Sequence, residues 1–175
     1  MTLIVLTVIA TVAMFIVHAQ QQPKKDNSAG NMNMADMSSQ EMNKRGDHVM
    51  GFDHNKTTHH FRLLPDGGTI EVTANAAEDT ESRDQIRKHL GHIAKMFAAG
   101  NFNAPMLIHD QIPPGVPVME KLKSDIQYKF DETEPGAMIR ISTNNAEALH
   151  AIHEFLRFQI KEHKTGDSLE VSTQP

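Results

Sequence analysis

The sequence predicts an α+β domain in which two strand-strand-helix units form a four-stranded antiparallel sheet with two helices on one face, behind a disordered N-terminal arm. Three observations carry this. Two stretches alternate apolar and polar residues around a turn, as half-buried hairpins do. Each is followed by an apolar stripe at helical spacing. Residues 20–55, just before them, are polar, lack a sustained period and have almost no β-branched or aromatic residues.

In the first unit Phe61 and Leu63 point one way and His60, Arg62 and Leu64 the other, so a strand begins near Thr57. Pro65-Asp66-Gly67-Gly68 supplies the turn, and Ile70 and Val72 alternate with Thr69, Glu71 and Thr73 on the way back. Asp79 or Thr80 caps a helix reaching Ala99, with Ile86, Leu90, Ile93 and Phe97 on one face, and Gly100 stops it. Residues 101–118 contain Pro105, Pro113, Pro114 and Pro117 and read as an irregular connection, ending in a short helix around Val118 to Leu122. The second unit places Ile126, Tyr128 and Phe130 on one face, turns at Glu134-Pro135-Gly136 and returns through Ile139 and Ile141. Asn144 or Asn145 caps its helix, whose stripe is Leu149, Ile152, Leu156 and Ile160, and Lys164-Thr165-Gly166 ends it. Thr69 to Asn75 (TIEVTAN) matches Met138 to Asn144 (MIRISTN), which suggests an internal duplication.

The ends organise the rest. Residues 1–19 carry no Lys, Arg, Asp or Glu and contain an apolar run from Thr2 to Val17, the length of a signal-peptide core, with Ala19 before a plausible cleavage point at Gln20. An uncleaved anchor is the alternative. Residues 20–55 form the flexible Met- and His-rich arm, 56–166 the single domain and 167–175 a loose tail. Export to the periplasm is the expected location. The chain has no cysteine, so metal chemistry must use thioether, imidazole and carboxylate ligands. A net charge of −5, with no basic stripe, argues against nucleic acid as a partner.

Met32, Met34, Met37, Met42 and Met50 lie in a segment that otherwise avoids apolar side chains. Packing does not account for them there, and soft sulfur donors select Cu(I) or Ag(I). His48, His54, His59 and His60 continue the run and add imidazole donors for Cu(II) or Zn(II). Strand parity sends His59 toward the helices with Phe61, and His60 to the opposite face. His89, His92 and Met96 share a stripe beside the apolar face of the first helix, and His153 borders that of the second. These four are secondary metal candidates. With His59, His89, His92 and His153 also suggest a haem or small-molecule pocket between sheet and helices.

The segments Thr57-Thr58-His59-His60-Phe61-Arg62-Leu63-Leu64, His109-Asp110-Gln111 and Ala151-Ile152-His153-Glu154-Phe155-Leu156 give the stretch from Met50 to Ile160 a further meaning. It resembles a family of small exported bacterial proteins of unknown role, some of whose members are labelled aspartate carbamoyltransferase. The resemblance implies export and a single domain. It brings no activity, since that enzyme needs a Ser-Thr-Arg-Thr phosphate-binding motif and the nearest string is Arg140-Ile141-Ser142-Thr143. No His-Glu-x-x-His, phosphate loop, Gly-x-Ser-x-Gly or nucleophilic Cys occurs, so no enzyme is expected. Asp110 beside His109 reads as a turn pair. The leading expectation is a periplasmic protein that sequesters or transfers copper, handing it to an envelope metal-handling partner. A haem or small-molecule module, or a non-enzymatic envelope interaction domain that self-associates, is the alternative.

Overall fold

Both alternating stretches form hairpins. Strand β1 (Thr57–Leu64) pairs antiparallel with β2 (Gly67–Ala74), and their chain ends turn through Pro65 and Asp66. The computed structural model describes residues 34 to 172, with side chains from Gln40 onward. Helix α1 (Met34–Met50) precedes the sheet, and helix α2 (Thr80–Ala98) follows the first hairpin, with Asp79 accepting from the Ser82 amide at 3.0 Å. Helices α3 (Asn103–His109) and α4 (Val116–Lys121) span the connection. Strands β3 (Ile126–Glu132) and β4 (Gly136–Thr143) make the second hairpin, and helix α5 (Ala146–His163) closes the unit, capped by Asn145 on the amides of Glu147 and Ala148.

The sheet order is β1-β2-β4-β3, all antiparallel, so the two inner strands are those that share the matching segments. Ile70 pairs with Ile139, Gly68 with Ile141 and Val72 with Ala137. This register maps the first unit onto the second about a pseudo-dyad at the Ile70–Ile139 pair, which suits the suggested duplication. Each helix lies mainly over the other unit's hairpin: α2 over β3 and β4, α5 chiefly over β1. The core between them is Phe61, Leu63, Val72, Ile139 and Ile141 from the sheet against Ile86, Phe97, Ile152 and Leu156 from the helices, all buried. The four-stranded α+β arrangement predicted from patterning is thus the arrangement found.

Three segments differ from expectation. Residues 20–55 were expected to be an unstructured arm, yet 34–50 form α1, which packs on α3. Met42, Gly46 and Met50 recur every four residues and are buried, giving the helix a narrow apolar seam. Arg45 Nε adds a hydrogen bond to the Ile108 carbonyl at 2.9 Å. The proline-rich connection, expected to be irregular before Val118, contains α3 and begins α4 at Val116. Pro105 stands in the first turn of α3 and Pro117 in that of α4, where the missing N–H has no intrahelical partner to lose. The tail expected to be loose is fixed as far as Ser172: Asp167 accepts from the Phe61 amide at 2.9 Å, and the Ser172 amide donates to the Leu63 carbonyl at 2.8 Å. These bonds cover the outer edge of β1, which would otherwise be an open template for pairing.

Gly115 holds the turn into α4 at a φ of +83°, and a Cβ there would lie 2.1 Å from the Ala151 carbonyl oxygen on α5. Gly115→Ala therefore forces α4 off α5. We expect a loss of about 3 kcal/mol from strain and repacking together, read as a fall in urea midpoint with unchanged slope; a midpoint equal to that of the parent chain would contradict the close approach.

Candidate functional site

The site grows from the inward-facing end of β1. His59 alternates in register with Phe61 and Leu63, so its ring enters the layer between sheet and helices. There it stacks on His163 from the last turn of α5, with ring centroids 5.3 Å apart and planes at 14°. His109, at the C-terminus of α3, meets His163 edge-on at 5.1 Å, and Phe61 lies 5.6 Å from the same ring. Phe52 stacks on His59 at 6.1 Å and meets His89 of α2 edge-on at 5.6 Å. Four histidines from three helices and one strand thus share one aromatic cluster.

Burial sets their charge state. It lowers His59 to about 4, helped by the neighbouring His89, and lowers His89 to about 4 and His163 to about 3. It also lowers His109, against the opposing influence of its hydrogen bond to Gln159 and the Glu162 carboxylate. The imidazoles are therefore neutral at physiological pH and present nitrogen lone pairs. Among the described residues no hydrogen bond occupies a ring nitrogen of His59, His89 or His163.

A cleft of about 320 Å³ opens where α1, β1 and the end of α5 meet, and Met42, Met50, His54, His59 and His163 line it. His54 Nδ1 lies 2.9 Å from Asp47 Oδ1, and its amide donates to the same oxygen at 2.8 Å. This is the carboxylate-to-imidazole contact that orients a metal-ligating histidine and leaves Nε2 outward. Ligand atoms of Asp47, Asp53 and His54 all fall within 4.8 Å of one another. Asp53 is engaged in capping the turn His54–Lys56 through the Asn55 amide, at 2.8 Å.

The sequence candidates separate accordingly. Met42, Met50, His54 and His59 come together, joined by His163, which the sequence reading did not single out. Met32 lies outside the described residues, as do the side chains of Met34 and Met37. So does the apolar segment 1–19. His48 is exposed on α1. His60 faces the other side of the sheet and pairs with Asp167 at 2.9 Å. His89 and His92 line a separate open cleft of about 480 Å³ against Met50, while Met96 is half-buried outside it. His153 is a structural residue in the β1–β2 turn region: its Nε2 bonds the carbonyls of Leu64 at 2.9 Å and Gly67 at 3.0 Å. His109, read as half of a turn pair, is instead buried at the site, and Asp110 is exposed in a left-handed conformation with φ of 54°.

No family model matches this chain, and neither a curated protein nor a solved structure matches it. Among the described residues no helix is long and apolar enough to cross a membrane.

Proposed function

We propose that this chain binds a soft transition-metal ion, Cu(I) before others, at the cleft between α1, β1 and α5, and sequesters it or hands it on in the periplasm. One observation carries the reading: two thioethers, Met42 and Met50, and three imidazoles, His54, His59 and His163, line a single cleft. Sulfur and neutral imidazole together suit a soft d10 cation better than the hard, carboxylate-preferring ions. Low proton affinity at His59 and His163 supports the same reading, because protons compete weakly for those nitrogens. Absence of cysteine and the apolar segment 1–19 suit an exported protein working where free thiols oxidise.

A haem reading has less support. The space among the histidines between sheet and helices measures about 70 Å³, whereas pockets for drug-sized ligands run to about 300–1,000 Å³. The metal reading is tested on the full chain, stripped by chelator and titrated anaerobically with Cu(I) against a coloured competitor. We expect one tightly held equivalent, and affinity at least about tenfold weaker in His163→Phe, the scale set by losing ligand-shell groups in metal sites. If His163→Phe and His59→Phe, both folded by circular dichroism, bind as the parent does, the cleft is not the site.

A further inference from the structure

The cleft beside α2 carries donors that the first cleft does not use. His89 and His92 stand three residues apart on α2, so their rings share one face, and with Met50 they line an open space of about 480 Å³. A carboxylate and an imidazole at this spacing reach one ion in the di-iron sites of helix bundles. Phe52 meets the half-buried His89 ring edge-on at 5.6 Å, whereas His92 is exposed. Neither imidazole has a hydrogen-bond or ion-pair partner among the described residues.

Met50 joins this cleft to the first. It is the last residue of α1, and among the residues lining the two clefts it alone belongs to both. The space between sheet and helices continues the line of donors: His59 borders it together with the first cleft, His89 together with the second, and Met50 with each. Unpaired carbonyls at the C-terminal end of a helix favour positive charge, and α1 presents that end where Met50 stands.

Charge narrows the ion. No carboxylate lines this cleft, and Gly51, Gln85 and Lys88 complete its wall. Two imidazoles and a thioether supply no negative charge, and the Lys88 ammonium repels a divalent cation twice as strongly as a monovalent one. Sulfur beside imidazole selects a soft ion. We propose that His89, His92 and Met50 form a second site for a soft monovalent cation, Cu(I) or Ag(I), and that Met50 passes the ion between the two sites without releasing it from sulfur. In that step a bond to a His59 or His163 nitrogen breaks as one to His89 or His92 forms, and no proton or electron moves. The passage rests on the cleft reading above; the second site itself does not.

Silver(I), a redox-silent stand-in for Cu(I), titrated into the chelator-treated full chain with isotope-labelled imidazoles reads each ring separately by magnetic resonance. The first equivalent should shift His59 and His163, and a second, more weakly held, should shift His89 and His92. His92→Ala, at an exposed position, should abolish the second event and leave the first, in a chain that melts as the parent does. Met50→Leu should weaken both events at least about tenfold, whereas Met42→Leu weakens the first alone. Rings of His89 and His92 that stay still, or a second event that survives His92→Ala, overturn the second site and leave the cleft reading standing. A second event without the first overturns the cleft reading and the passage, and leaves the second site. For the passage itself, Cu(I) loaded at one equivalent should leave for a chelator about tenfold more slowly in His92→Ala, the same scale of ligand-shell loss. Equal release rates, or a second event indifferent to Met50→Leu, overturn the passage alone.

Discussion

Acidification from about pH 6.5 toward pH 4 should destabilise the chelator-treated protein through its buried imidazoles, ahead of the loss carried by its hydrogen-bonded aspartates. His59 and His89 are held down to about 4 and His163 to about 3, chiefly by burial, while an unfolded imidazole titrates near 6.5. The unfolded chain therefore takes up protons that the folded one refuses. Stability is fully present above about 6.5 and is lost as the pH falls through this window, by roughly 1.4 kcal/mol per pH unit for each such imidazole. Three of them draining a total of about 5–15 kcal/mol leave little margin by pH 5. The carboxylates act lower: Asp53, Asp66, Asp79 and Asp167 are shifted below the usual 3.8, mostly by hydrogen bonds, so their contribution disappears only below about pH 4. Urea midpoints measured between about pH 7 and pH 5 read the effect directly. His163→Phe, which keeps an aromatic ring against His59 and Phe61, should move the acid limb to lower pH. A midpoint that is flat across the window, or a limb that His163→Phe does not move, would mean these rings are solvated.

Why the hairpins and long helices were legible, and the site only partly so, follows from what each element relies on. Phe61, Leu63, Ile70 and Val72 announce their strands by alternation, and Asp79 and Asn145 announce their helices by capping, all within a few residues of sequence. Helix α1 announces nothing of this kind. Its seam is Met42, Gly46 and Met50, two flexible side chains and a glycine, and it is stable as a helix because α3 offers a surface to cover. His59 was placed by parity. His163 was within reach, since it extends the stripe Ile152, Leu156, Ile160 by one three-residue step, but a histidine at a helix end reads more readily as a solvated cap. Gln159 could not be anticipated, because its meaning depends on His109 arriving from a segment dense in proline. The edge contact of Asp167 with Phe61 spans more than a hundred residues and leaves no local trace.

Replacing Met42 and Met50 together by Leu should weaken Cu(I) binding by about 100-fold, the upper end of what altering a metal's ligand shell costs, with little change in folding. Leu and Met have nearly the same volume, and such exchanges in a core cost less than about 1.5 kcal/mol. The two methionines are 7% and 9% exposed, so their packing is preserved while the sulfurs are removed. Met50 should dominate the pair, since it borders the cleft, the apolar space between sheet and helices and the His89–His92 cleft, whereas Met42 borders only the first of these. The companion variant replaces Met32, Met34 and Met37 by Leu, leaving the cleft untouched. Competition against a Cu(I) chelator distinguishes two sets of methionines: the buried seam of Met42 and Met50 against the imidazoles of the cleft, or Met32, Met34 and Met37 nearer the N-terminus. If the triple variant loses the ion and the Met42/Met50 pair keeps it, the sulfurs of Met42 and Met50 serve packing and the binding belongs to Met32, Met34 and Met37. If the pair loses it and the triple variant does not, α1 is a helix whose apolar seam was built from methionine because the seam is also a ligand set.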